Sequence, residues 1–107
     1  IMGLTFKENC PDLRNTRVVD LIEKFESSNC IVDVYDPWVS KEDAINEYGI
    51  KPIDIPVEGK YDAIILAVAH NEFKRLSLKQ IKTFGKANHV LYDIKYLLKA
   101  DEVDGRL

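Results

Sequence analysis

Between Tyr61 and Ala69 the chain reads Tyr-Asp-Ala-Ile-Ile-Leu-Ala-Val-Ala, and from Ala63 onward no polar residue interrupts it. A half-wet strand would alternate apolar and polar residues. An unbroken run is what a central parallel strand needs when crossover helices cover both of its faces. The rest of the chain is therefore expected to supply flanking strands and the helices that pack over them.

Val18, Leu21, Ile22 and Phe25 fall at i, i+3, i+4 and i+7, the apolar stripe of a helix over about Thr16–Ser27. Asn15 or Thr16 is placed to cap it, and Asp20 is placed to pair with Lys24 on the wet side. Ile1–Leu4 before this helix and the β-branched Ile31–Tyr35 after it read as the first two strands of a right-handed βαβ unit, closed by Asp36-Pro37. Lys41–Tyr48 reads as a short helix capped by Ser40 and stopped by Gly49, with Ala44, Ile45 and Tyr48 inward. Ile50–Ile53 is at most an edge segment, because Pro52 cannot donate to a ladder.

After the central strand, Glu72–Leu76 reads as a helical turn and Leu78–Phe84 as a helix burying Leu78, Ile81 and Phe84. His89–Asp93 reads as the last strand, Tyr96–Lys99 as a final helical turn, and Asp101–Leu107 as a frayed tail or the end of a fragment. The order predicts an α/β fold with a doubly wound, mostly parallel sheet, Rossmann-like in three layers, as a single domain. Met2 follows Ile1 and the first strand has only about four residues, so a truncated first strand and an origin inside a larger protein are expected.

Composition narrows the partners. The 107 residues carry a net charge of −3 with no basic run, which argues against nucleic-acid and membrane-surface binding. Ala63–Ala69 is too short to span a bilayer and no leader pattern opens the sequence, so a cytoplasmic location is expected. Cys10 and Cys30 form no metal-type spacing. Cys30 reads as a small buried hydrophobe. Cys10, near Lys7 and Arg14, reads either as a loop-packing residue or as an activated thiol, with no histidine beside it in sequence.

Ligands of open α/β sheets sit outside the carboxyl ends of the strands. At that edge the first crossover loop carries Lys7, Glu8, Asp12 and Arg14 and opens onto a helix N-terminus, a seat suited to phosphate. Gly3 stands alone, so neither a dinucleotide fingerprint nor a Walker loop is present, and Lys and Arg side chains would do the holding. Asp36 can take a ribose hydroxyl or simply form a turn; His70 can meet a phosphate or base, or cap the next turn. Asp93-Ile-Lys95 closes the last strand at the same edge.

The stretch Gly3-Leu-Thr-Phe-Lys-Glu-Asn-Cys-Pro-Asp-Leu-Arg-Asn-Thr16, the Val-Tyr-Asp-Pro turn and the Tyr-Asp-Ala-Ile-Ile-Leu run together resemble the C-terminal domain of the UDP-glucose/GDP-mannose dehydrogenase family. The wording Glu-Asn-Cys-Pro-Asp-Leu-Arg-Asn-Thr is most similar to the subgroup acting on UDP-N-acetyl-hexosamines for capsule, Vi-type and O-antigen polysaccharides. The resemblance implies two successive NAD-dependent oxidations, taking a sugar C6 hydroxyl through a thiohemiacetal to a carboxylate. It also implies that the NAD-binding domain and the catalytic cysteine lie outside residues 1–107, so that no catalytic residue and no metal site belong to this chain and the isolated chain turns nothing over.

On the same resemblance Phe6 and Lys7 contact the UDP-sugar, Arg14 reaches toward NAD, and Lys95 stands where many relatives place an Arg that approaches the substrate. Asp36 and His70 take no family role and move toward their structural readings. The implied partners are the UDP-sugar, the missing N-terminal and central domains and, in the full-length protein, a second copy. The reading from another class is a stand-alone α/β nucleotide- or CoA-binding regulatory module without oxidoreductase activity.

Overall fold

The computed structural model describes residues 1–106. The central apolar run forms β1 (Tyr61–Leu66), paired in parallel with β2 (Gly85–Asp93), Ala63 facing Val90 and Leu66 facing Asp93. β3 (Gly105–Arg106) adds a third parallel strand along the end of β2. On the other side of β1 lies the first segment of the chain. Met2 bridges Leu66 and, across its other edge, Tyr35, with Met2 N–H donating to Ile65 C=O at 2.8 Å and Gly3 N–H to Tyr35 C=O at 2.8 Å. The spatial order is thus the 31–35 segment, the 1–4 segment, β1, β2 and β3. The chain reverses its winding direction at the first segment, where ligands of such sheets bind.

The buried apolar residues form two cores. Met2, Ile64, Leu66 and Leu91 pack with Phe73 of α3 (Asn71–Lys74) and Ile81 of α4 (Leu78–Lys82). Leu4, Leu13 and Val34 pack with Ile22 of α1 (Val18–Ser27) and Ala44 of α2 (Lys41–Tyr48). Gly3 makes the close approach between the first segment and the chain after β1 possible. It has φ +107°, and a Cβ there would stand 2.6 Å from the Val68 Cβ.

Several expectations hold at residue level. Ser40 Oγ accepts the Asp43 N–H and Gly49 ends α2 at φ +67°. The structure adds a reciprocal capping box of Ser77 and Gln80 on α4, which is not among the sequence expectations. Other expectations are corrected. Residues 31–35 form a single bridge at Tyr35 rather than a ladder, and Ile31 is 96% exposed. The cap of α1 is Arg17, without a side-chain bond; Asn15 turns left-handed at φ +61°, and the Thr16 hydroxyl donates to Leu4 C=O at 2.7 Å while accepting the Val18 N–H at 3.3 Å. Asp20 pairs with Arg17 at 2.8 Å, not with Lys24. Ile45 is exposed, because α2 buries only the stripe centred on Ala44. Cys30 is exposed too, on the turn that follows α1. The expected tail is structured instead: a 3₁₀ turn at Ala100–Glu102, later than the predicted Tyr96–Lys99 turn, leads into β3. Leu107 lies outside the described residues.

Candidate functional site

Leaving the first strand segment, the chain turns outward at Thr5 and returns to α1 at Thr16. Thr5 is buried; Phe6 is 54% exposed, and Lys7 and Glu8 are exposed beside it. The Phe6 N–H donates to Asp12 C=O at 2.8 Å, so the outgoing and returning halves of the loop are joined and Lys7 and Arg14 belong to one surface. Asp12 binds Arg14 with both carboxylate oxygens, at 3.1 Å to Nε and 3.2 Å to Nη2. Those hydrogen bonds, the Arg14 backbone N–H and the nearby Lys7 charge hold the Asp12 carboxyl below its ordinary value. Arg14 remains 79% exposed, its other donors pointing outward. With Glu8 included, the formal charges of the loop cancel. A polyanion here would be recognised by placed donors more than by a net field.

Beneath the loop lies what local sequence patterns did not reveal. The Asp36 and His70 side chains are fully buried and touch, Nε2 to Oδ2 at 2.9 Å. Asp36 Oδ2 also accepts the N–H groups of Leu4 at 2.6 Å and Thr5 at 3.1 Å, and its Oδ1 accepts that of Trp38 at 2.8 Å. Burial works to raise the Asp36 pKa. The His70 hydrogen bond and the backbone donors outweigh it and hold the group below its ordinary value. His70 Nδ1 accepts the Asn9 N–H at 3.0 Å, and Thr5 Oγ1 donates to Lys7 C=O at 2.9 Å. The ring is packed by Phe73, edge-on at 5.4 Å, and by Trp38, stacked at 6.0 Å.

Asp36 and His70 are therefore structural, and neither offers an atom to a ribose, base or phosphate. The one signal in the sequence was positional: each polar residue closes an apolar stretch flanking the first segment in space. Cys10 is half-buried on the same loop. A histidine does approach its neighbourhood, from 60 positions away, but both nitrogens of His70 are already engaged. Cys30 borders a groove with Asn29, Lys60 and Asp62, at the opposite end of the strands from Lys7.

Lys95 follows β2, two strands over from the segment that leads into the Lys7 loop and at the same carboxyl edge of the sheet. Its position is set by Asp93, whose buried carboxylate accepts the N–H groups of Lys95 at 3.1 Å and Leu98 at 2.8 Å. Lys95 itself is exposed. Of the four expected contact residues, Phe6, Lys7 and Arg14 lie on one loop, and Lys95 lies at the end of β2, with β1 between.

An open parallel α/β sheet with a braced, cation-bearing loop at its switch point defines a ligand-binding domain of the doubly wound class. The profile described as the UDP-glucose/GDP-mannose dehydrogenase family, UDP binding domain, matches residues 1–100, and the chain belongs to that family. It is 62% identical over 107 residues to a UDP-N-acetyl-D-glucosamine 6-dehydrogenase of Pseudomonas aeruginosa and 50% identical to one of Salmonella typhi. All of this chain is covered in both matches, and it spans about a quarter of each relative, 25%. A solved structure described as a UDP-D-ManNAc dehydrogenase from Pyrococcus horikoshii superposes with a TM-score of 0.74 over 98% of this chain and 23% of that one, at 24% identity, and so shares the fold. No helix among the described residues is long and apolar enough to cross a membrane.

Proposed function

We propose that this chain is the nucleotide half of the substrate site in an NAD-dependent UDP-sugar 6-dehydrogenase, an enzyme converting a sugar C6 hydroxyl to a carboxylate. Residues 1–107 form its UDP-sugar-binding domain. The NAD-binding and catalytic regions belong to the three quarters of the relatives' length that this chain does not span. The names of the two relatives support a UDP-N-acetyl-hexosamine as substrate; polysaccharide precursor synthesis in the cytoplasm is the setting that the sequence resemblance implies. The observation that carries the reading is the Thr5–Arg14 loop: Phe6 and Lys7 stand exposed on a backbone whose turns are satisfied from below by buried groups.

A pyrophosphate is matched by charge-assisted donors, which Lys7 supplies on one side and Lys95 on the other. Phe6 offers an apolar face to a base or sugar. NAD, when bound, accepts the hydride. The chain lacks a dinucleotide glycine loop, so its own contribution toward NAD is limited to Arg14, whose outward donors fit a phosphate or ribose approaching from a facing domain. Neither Cys10 nor Cys30 has an adjacent base to activate it, which fits a nucleophile supplied from outside this chain.

One observation weighs against a receiver-like form of the regulatory reading, which needs a cluster of carboxylates at the strand ends for a metal: Asp36 and Asp93, the two candidates, are spent on backbone N–H groups. Calorimetric titration with UDP, and in parallel with NAD, tests the reading on the native chain and on Lys7→Ala. Binding of UDP that Lys7→Ala abolishes is expected. Binding of NAD without UDP, indifferent to Lys7→Ala, would return the domain to the regulatory class.

A further inference from the structure

A loop that leaves a sheet must find new partners for backbone groups that the ladder no longer satisfies. In the Thr5–Asn9 segment two of those partners are side chains distant in sequence and a third lies within the segment. Asp36 takes the Thr5 N–H, Thr5 Oγ1 gives its hydrogen to Lys7 C=O, and His70 Nδ1 takes the Asn9 N–H. A backbone amide only donates, so Nδ1 carries no proton. The ring hydrogen then stands on Nε2, 2.9 Å from Asp36 Oδ2 and 3.2 Å from Thr5 Oγ1, whose lone pairs face it because its own hydrogen is already given to Lys7. Neither the other tautomer nor the imidazolium can accept from Asn9. Asn9, left-handed at φ +54°, returns the tie by accepting the Asn71 N–H on Oδ1 at 2.9 Å.

We propose that His70, as the neutral Nε2–H imidazole, is a positioning residue for the nucleotide site, holding the Thr5–Asn9 backbone so that Phe6 and Lys7 are presented in one arrangement before any ligand arrives. The proposal rests on the reading of Phe6 and Lys7 as nucleotide contacts. A loop ordered in advance does not have to be ordered at the moment of binding, and the ligand keeps that free energy as affinity.

The two ring nitrogens can be separated by substitution. His70→Gln places an amide donor near Nε2, keeping the tie to Asp36 and losing the acceptor for Asn9. His70→Asn places an oxygen near Nδ1 and does the reverse. Amide hydrogen exchange on the ligand-free chain reads the brace: Asn9 exchanges roughly fivefold to tenfold faster in His70→Gln and returns toward the native rate in His70→Asn, with Ala67 in the core unchanged. UDP affinity follows the same order, falling about threefold to tenfold in His70→Gln and recovering in His70→Asn. Lys7→Ala loses UDP with Asn9 exchange unaltered.

An Asn9 amide that exchanges in the native chain like an unbonded exposed one overturns the brace. A freed Asn9 with undiminished UDP affinity overturns the positioning role. UDP failing to bind the native chain while Asn9 stays protected sinks the nucleotide reading and the positioning role with it, leaving a structural histidine. Where His70 variants do not fold, Asn9→Gly suits the positive φ, removes only the Asn71 tie, and is expected to give an intermediate loss of both protection and affinity.

Discussion

Two turns at the carboxyl edge each present a lysine, and they are built in opposite ways. The turn bearing Lys95 is held by Asp93, two and five positions from the amides it accepts. The loop bearing Lys7 is held by Asp36 and His70, which reach it from 31 and 61 positions away. Both use a buried carboxylate to satisfy backbone donors. The first is a local motif that travels with its strand, whereas the second exists only when three separate segments have met. A ligand on Lys95 therefore consults one strand end, and a ligand on Lys7 consults the packing of the whole switch point.

Gly3→Ala breaks the comparison at its root, because the first segment can no longer lie against Val68. A Cβ would sit 2.6 Å from a side-chain atom and 2.8 Å from the Val68 backbone nitrogen, at a φ that L residues rarely adopt. Overpacking and left-handed strain together cost about 3 to 5 kcal/mol in urea unfolding.

Asp36→Asn comes next. One of its two oxygens becomes an NH₂ that must confront backbone donors, a loss of about 2 to 3 kcal/mol. The same variant carries a pH signature. Asp36 has a folded pKa below its ordinary 3.8, so its contribution is fully present above that value and is lost as pH falls through the lowered folded-state value. The native chain should lose stability on acidification below about pH 4, and Asp36→Asn should lose less over the same window, measured by chemical denaturation at stepped pH.

Asp93→Asn sharpens the contrast. It orphans one of two local amides at a cost of about 1 to 2 kcal/mol, and in a UDP titration it should disturb Lys95 while leaving the Asn9 amide untouched. The surface substitutions are smallest in stability and most specific in binding. Lys7→Ala should abolish detectable UDP binding and Lys95→Ala weaken it about threefold, both at unchanged melting temperature. Arg14→Ala should leave UDP affinity and melting temperature alike unchanged.

The elements that sequence patterns anticipated are those whose energy comes from near neighbours. Ser40 and Gly49 bound α2 because a cap bond spans three residues and a left-handed stop needs one. The misses have the opposite character. Ile31 has the β-branched composition of a strand, but no neighbouring segment pairs with it. Cys30 is of a residue type usual in cores, although it is exposed on the turn it occupies. β3 is two residues long and polar at Arg106, and only its pairing with Tyr92 and Asp93 makes it a strand.

The same division runs through the site. The α/β class, the apolar central strand and the carboxyl-edge loop were legible in the sequence alone, since each is written in a contiguous stretch, and the motif resemblance pointed to Phe6, Lys7, Arg14 and Lys95 as the residues to test. Tertiary structure alone decided that Asp36 and His70 turn inward, which tautomer His70 holds, and which backbone groups they satisfy. A buried hydrogen bond between residues tens of positions apart leaves no period or spacing in the chain. Its energy appears only after folding has excluded water and left each donor a single partner.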